Sequence, residues 1–414
     1  MLRALDIRGA LSAIHWTHPV LIVTLALLLR LAWAALVPAV PVSDGVVYDA
    51  FARSLAAGHG YAFPDGTRTA YWPVGTSAVY ALLYRLCGGG VAVIAGFQAV
   101  LGAAIVALTW RLAHYMFGRT AAGVSAWLVA VWPLLIEFTT IFASELLFIA
   151  LVLAALNVWI SLRVPWVYRM ILWGTCVAAA TYVRPTALPL LVALPVVQCI
   201  VERDWRALKR IVPAALAAAI LFAPWVWRNF ALFDSFVLVS ANGGVNLWMG
   251  NNPDSTGGYM ELPARQFANE AERDRYFGSV ALQYIRAHPG EYAKLTARRT
   301  RITYDRETIG VDWNAAGLGS QYQAVAPVLK VVSSAYWWTL LLLGAIGFVL
   351  ATGRPQVFAA WPLLIACAYF ALFPVLTVGM DRYHVPVDPM LAILAGYVLT
   401  RRVRQANKPS LERL

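Results

Sequence analysis

The sequence predicts an all-α polytopic membrane protein. It should have about ten transmembrane helices, a re-entrant or interfacial helix in the first outer loop, and a small outer soluble segment. Three observations predict this. Only 13% of the residues are charged and 60% are hydrophobic, whereas a soluble domain carries roughly 25% charge. Apolar runs of about the 20 residues needed to cross a bilayer recur along the chain. No strand-rich stretch, internal repeat or low-complexity tract interrupts them.

The elements follow in order. The run 19–40 is too long for a signal-peptide core and contains Arg30, so it is the first span rather than a cleaved leader. Next comes a polar island, "PVSDGVVYDAFARSLAAGHGYAFPDGTRTAYWPVG", residues 41–75. Within it, residues 45–57 form a helix with Ser43 or Asp44 at its cap and Gly58 just past its end. Asp49 and Arg53 stand at i and i+4 as a solvated pair. Residues 73–87 start at Pro73 and carry Arg85. They are too short for a span and suit a helix that lies in the interface or re-enters. Six spans follow, at 91–113, 120–136, 145–162, 168–183, 186–201 and 211–228. The long polar segment 229–332 separates them from the last three, at 334–351, 357–378 and 384–400. Within that segment, "ERDRYFGSVALQYIRAHPGEYAKLTARRTRITYD" has helical apolar spacing broken at Pro289-Gly290. The chain thus divides into an N-terminal transmembrane catalytic region, 1–228, with its outer loop 41–90. An outer soluble segment, 229–332, comes next, and then C-terminal helices with a basic cytoplasmic tail, 333–414.

Charge sets the orientation. With 73–87 not crossing and the N-terminus inside, the inner loops hold Arg3, Arg8, Arg111, Arg119, Arg163, Arg169, Arg203, Arg206, Lys209, Arg210, Arg354, Arg401, Arg402, Arg404, Lys408 and Arg413. The short outer loops hold Arg53, Arg68, Arg85, Arg184 and Arg382. The excess of basic residues inside favours this arrangement and puts 41–90 and 229–332 outside. It also accounts for the +12 net charge as a membrane-orienting feature, not a nucleic-acid surface. The protein is therefore expected in the plasma (inner) membrane, multi-pass, with its active site on the periplasmic or extracellular side. Cys87, Cys176, Cys199 and Cys367 sit in or beside apolar segments without metal-ligand spacing, as small hydrophobes.

The residues able to carry chemistry lie on the outer side. Asp44 is a carboxylate pinned at the membrane surface, which suits a general base; its structural alternative is a helix cap. Arg184 in "TYVRPTALP", Arg228 in "PWVWRNF" and Arg382 in "MDRYHVP" fall at outer helix ends, where guanidinium groups bind phosphate or anchor helices by snorkelling. Glu137 and Glu145 share a short outer turn. Glu145 has the chemistry to orient an acceptor or hold a divalent metal, and otherwise plugs a polar gap between helices. No metal ligand set is assigned; the sequence makes no cofactor certain and leaves a divalent metal open. His384 is a lone histidine expected to pack or hydrogen-bond. In "SANGGVNLWMGNNPDSTGGY", residues 240–259, paired glycines allow tight turns. Asn242 and Asn246 offer amides and Trp248 a ring face. With Tyr71 and Glu145 these are the expected substrate contacts.

These stretches, together with "YDAFARSLAAGHGY", "TAYWPVGTSAVYALLY", "ASELLFIALVLAAL" and "DRYHVPVDPMLAILAG", occur in an order that resembles the membrane glycosyltransferases using lipid-phosphate sugars. That superfamily includes the protein O-mannosyltransferases and the aminoarabinose transferase acting on lipid A; the resemblance is to its bacterial branch. It implies many transmembrane helices, a large first outer loop, a polyprenyl-phosphate sugar as donor, and a base at the acid after the first helix, here Asp44. Two positions depart from the pattern. Gly45 follows Asp44 where many relatives carry a second acid, and Val74 follows Pro73, so the lysine of lipid A-modifying members is not evident.

A polyprenyl phosphate leaves readily, so the acceptor hydroxyl is the partner that needs help, and one base suffices for an inverting displacement. Asp44 is that base; Arg184, Arg228 and Arg382 take the phosphate. The acceptor is a hydroxyl of a lipid, glycan or protein. The competing class is a transporter or flippase of lipid-linked sugars. It predicts several deep polar residues and repeated halves, whereas Arg30 is the main deep charge.

Overall fold

The computed structural model describes residues 16–161, 163–352 and 360–406. Arg3, Arg8, Arg354, Lys408 and Arg413 of the charge argument lie outside them. The described chain is helical. Its only bridge between extended residues, among those described, joins Ala62 and Arg68.

Five described helices are long and apolar enough to cross a membrane: Pro19–Leu36, Val91–Ala130, Pro185–Glu202, Val212–Phe233 and Ala315–Thr352. With the composition they make this an integral membrane protein. Two shorter apolar helices, Glu145–Ile160 and Trp361–Leu376, accompany them. Three labels are used below: α1 for Pro19–Leu36, α2 for Asp44–Ala56 and α3 for Gly75–Cys87.

The helix Val91–Ala130 is two helices that meet at Gly118, whose φ of 78° and ψ of 176° are not helical. Its neighbours show that the chain doubles back there. Arg30 of α1 lies against Gly102 and also donates to the Ala130 carbonyl at 3.0 Å. The Thr17 side chain lies against Gly123, and Trp110 donates to the Thr17 carbonyl. Residues 102 and 130 would stand roughly 40 Å apart on a straight helix at 1.5 Å per residue. One arginine reaches both only if the two arms run antiparallel along α1. Gly118 supplies the positive φ of the turn. Arg30, the deep charge of the sequence, spends its guanidinium on the carbonyls of Ala26, Val129 and Ala130. It is a staple between helices.

The first loop folds as α2, a short hairpin around Gly66, and α3. At 13 residues, α3 is roughly 20 Å long at 1.5 Å per residue, well short of a 30 Å hydrocarbon core. Beyond Phe233 the chain forms helices Glu270–Ala287 and Pro289–Tyr304, broken at the expected Pro289. Asn269 caps the first by accepting from the Glu272 amide at 2.9 Å. Gly243-Gly244 do not make the expected turn: they begin a helix, Gly243–Gly250. Asp274 takes the place of a local cap there, accepting from the amides of Gly244 and Val245 at 2.7 and 3.0 Å. Arg299, fully buried, donates to the carbonyls of Val375 and Gly250 at 2.6 and 2.7 Å. It thereby fixes this polar segment to the end of helix Trp361–Leu376.

Candidate active site

Two close approaches bring distant parts of the chain together. At the start of α2, a Cβ on Gly45 would lie 2.7 Å from the Phe142 carbonyl oxygen. At the start of α3, a Cβ on Gly75 would lie 2.6 Å from the Tyr182 backbone. Only glycine admits either contact. The first draws Asp44 toward Ser144 and Glu145; the second holds the loop against the strand-like residue Arg184, which ends helix Trp166–Val183. The absence of a second acid after Asp44 thus has a steric cause: position 45 has no room for a side chain.

Asp44 does not serve as the helix cap. The cap position is Ser43, at φ 50°, and it makes no side-chain cap bond. The Asp44 carboxylate instead accepts from Arg382 Nη2 at 2.5 Å. The other nitrogen of that fork, Nη1, donates to Glu145 Oε1 at 3.4 Å. Arg184 Nη2 donates to the same Glu145 oxygen, and its Nε donates to Ser144 Oγ at 2.9 Å. Two acids and two arginines, from four separate elements, form one charge-balanced cluster. The Arg382 guanidinium also stacks 4.7 Å from the Trp313 ring. Burial works against its charge, but Glu145 and Asp44 outweigh burial and hold its pKa above the usual arginine value. Exposure separates the acids: the Glu145 side chain is 0% exposed and that of Asp44 is 29% exposed. Glu145 is therefore a buried anchor for both arginines, more than the polar plug of the sequence expectation. Asp44 is the acid open to solvent.

The remaining candidates fall elsewhere. Arg228 is not in the cluster: it donates to the Thr69 and Tyr61 carbonyls at 2.7 and 3.0 Å and stacks 4.6 Å from Trp225. It clamps the first loop. Tyr71 and Trp248 belong to one apolar cluster with Phe277 and Val378, against which Tyr383 packs; Tyr71 also faces the Arg273 guanidinium at 4.8 Å. Asn242 accepts from Ser240 and precedes the helix that contains Asn246. Asp49 is less solvated than expected: besides Arg53 at 2.8 Å, it accepts from the Tyr84 hydroxyl at 2.5 Å. Glu137 is buried, accepts from Ser333 at 3.0 Å, and has its pKa raised by burial to about 8. Ser144 was not singled out, although it stands next to Glu145. Nor was Glu270, which accepts from Thr69 Oγ1 and the Ala70 amide at 2.7 and 2.8 Å and joins the polar segment to the first loop.

An apolar cavity of about 570 Å³, lined by Leu188, Leu191, Val192, Ala218, Phe222 and Val226, lies between helices Leu190–Glu202 and Val212–Phe233. Leu188 follows Arg184 by one helical turn, and Val226 precedes Arg228 by two residues.

No protein-family model and no curated protein matches the chain. Solved structures do share its fold. Over 94% of this chain and 61% of the other, it is similar to ArnT from Cupriavidus metallidurans, with 15% identity and a TM-score of 0.55. It is similar to the Archaeoglobus fulgidus oligosaccharyltransferase in complex with Zn and sulfate over 94% of this chain and 49% of the other, with 13% identity and a TM-score of 0.58. The oligosaccharyltransferase AglB from Archaeoglobus fulgidus in complex with an inhibitory peptide and a dolichol-phosphate aligns over 95% of this chain and 51% of the other, with 14% identity and a TM-score of 0.56. The chain spans between about half and three-fifths of the length of these proteins.

Proposed function

We propose that the protein is an inverting glycosyltransferase that moves a sugar from a polyprenyl-phosphate donor to a hydroxyl acceptor. The observation that carries this reading is the Asp44–Arg382–Glu145–Arg184 cluster, which combines one partly exposed carboxylate with one buried and one partly buried guanidinium group; an apolar groove begins at Leu188, four residues after Arg184. The shared fold of ArnT and of an oligosaccharyltransferase solved with a dolichol-phosphate supports it.

In this mechanism the donor's isoprenoid chain lies in the groove lined by Leu188 and Phe222. Its phosphate meets the guanidinium groups of Arg184 and Arg382, whose charge suits phosphate oxygens; Arg382 Nη2, which Asp44 holds at rest, is the donor freed for it. The acceptor oxygen attacks the anomeric carbon. The bond from that carbon to the phosphate oxygen breaks, and the electron pair leaves with the phosphate, which goes from one negative charge to two. Asp44 takes the hydroxyl proton and becomes neutral. A unit of negative charge thus leaves Asp44 as another appears on the phosphate, with Arg382 between them. An arginine held by Asp44 in the ground state is released to the phosphate as the transition state forms, so its stabilisation is greatest where the rate is set. Glu145 stays ionised throughout and keeps both guanidinium groups in place. Arg228 acts at one remove by holding the loop that follows α2.

The topology that goes with this reading has about ten crossings, with α3 lying at the interface. Residues 41–90 and 229–332 face the periplasm or exterior, and the C-terminus faces the cytoplasm. The catalytic region is 1–228. The test is transfer of radiolabelled sugar from a polyprenyl-phosphate donor to endogenous acceptor in membranes from cells with and without the protein. Label that becomes covalently bound only when the protein is present supports the transferase. Donor that merely changes leaflet, with no covalent product, would contradict it and favour a flippase.

A further inference from the structure

The turn that carries Arg382 leads into a second buried polar group, which the proposed transfer does not use. Glu307, His384 and Asp388 are all 0% exposed, and their ligand-type atoms lie within 4.8 Å of one another. Glu307 follows helix Pro289–Tyr304, His384 ends the turn after Met380, and Asp388 is the first residue of the last helix.

Hydrogen bookkeeping constrains what sits there. His384 Nδ1 lies 2.9 Å from the Thr303 carbonyl oxygen. A carbonyl only accepts, so Nδ1 carries a proton. In the neutral ring Nε2 then presents a lone pair, and it points at Glu307 Oε1 at 3.2 Å. Two lone pairs at that distance repel unless a positive centre lies between them. A proton on Glu307 would satisfy this pair alone. It would leave Asp388, whose two carboxylate oxygens are buried and receive no hydrogen bond. Leaving a buried ion uncompensated costs several kcal/mol.

We propose that Glu307, His384 and Asp388 bind one divalent first-row cation, of which zinc is the type. A neutral imidazole and two carboxylates carry formal charge −2, which one such ion cancels. The 3.2 Å between Nε2 and Oε1 is close to the ~3.4 Å separating two N/O ligands of a tetrahedral ion bound at 2.0–2.2 Å. The outer partners have the usual form. The Thr303 carbonyl fixes the histidine tautomer, and the Trp337 ring stacks on the imidazole at 4.1 Å. Trp132 Nε1 donates to both Glu307 oxygens at 3.1–3.2 Å. The ion would tie the end of the polar segment to the start of the last helix and hold the intervening turn. It would position Arg382 and touch no reacting atom.

This inference does not rest on the transferase reading, and its test needs no transfer assay. The purified protein is incubated with zinc chloride, or separately with manganese chloride, freed of excess, and its metal content measured by mass spectrometry alongside thermal unfolding. The expected wild-type result is about one equivalent per chain, as for a single three-residue site. A chelator should remove it, lower Tm, and lose that effect when zinc is restored. Asp388→Asn, an isosteric change, and His384→Gln should each lower the bound metal about tenfold, the low end for a lost or disturbed ligand, and make Tm insensitive to chelator. Metal-free wild type after both incubations, or Asp388→Asn retaining wild-type metal, would overturn the proposal. Because the wild-type metal content and chelator response stand alone, a variant that fails to fold does not remove the test.

Discussion

Arg382 joins two acids that differ in what they can do, and its substitutions separate those roles. Arg382→Ala leaves Glu145 with Arg184 and leaves Asp44 unpaired. Loss of one partner of a buried ion pair costs about 3–5 kcal/mol. For a side chain only 7% exposed, transfer should fall by two orders of magnitude or more. Arg382→Lys should recover little, because an ammonium cannot span Asp44 and Glu145 as the fork does; steady-state kinetics with purified donor would show it. Glu137 makes a separate prediction about stability. Its folded pKa of about 8 exceeds the ordinary 4.5, so the folded state binds the extra proton between those values. Stability should then fall as pH rises from about 4.5 to about 8, by at most about 1.4 kcal/mol per unit. Glu137→Gln should unfold like wild type near pH 5 and be more stable at pH 8, and equal stability at both pH values would contradict the assignment. At this scale the sequence showed part of the site. Asp44, Arg184, Arg382 and Glu145 were visible as polar groups stranded at helix ends. Their mutual pairing was not, because positions as far apart as 44 and 382 meet only through tertiary packing. Arg228 had the same sequence signature, yet its partners are loop carbonyls, which have no signature at all.

The elements are held in place by close backbone approaches. Gly45→Ala would press a methyl into the Phe142 backbone. Overpacking of this kind costs about 1–3 kcal/mol, and a displacement of α2 of about 1 Å can cost 10²-fold in rate. Gly90→Ala is the control, since position 90 has φ −85° and open space around its Cβ. The first variant should lose transfer while keeping most of its stability; the second should be silent in both. Equal activity would remove Gly45 from the positioning of Asp44. Five membrane-length helices were legible from apolar length, the last of them starting earlier, at Ala315, than the span read from the sequence, and the turn at Gly118 from the break between two spans. The helix Gly243–Gly250 was not legible: two glycines argue for a turn, and the cap that overrides them, Asp274, comes from another helix. Local propensity is a weak prior where a remote carboxylate supplies the missing cap.

At the scale of the whole molecule, composition alone settled the class, because a chain with so few charges cannot solvate its helices in water. Orientation rests on the basic-residue asymmetry and is tested by chemistry on intact cells. Single cysteines at Asp65 and Asp254, in a background lacking the native four, should both react with an impermeant thiol reagent. Protection of both until lysis would reverse the topology. What composition leaves open is the reaction, and there the account turns on one carboxylate. The most direct measurement is sugar transfer by Asp44→Asn from a purified polyprenyl-phosphate donor, taken together with donor binding and thermal unfolding. The variant keeps the side-chain shape, and Glu145 still holds both arginines. The account predicts a folded protein that binds donor and whose turnover falls by roughly 10²–10⁴-fold, the usual contribution of a general base. Near-wild-type turnover by a folded Asp44→Asn would contradict it and leave Asp44 as no more than a partner for Arg382.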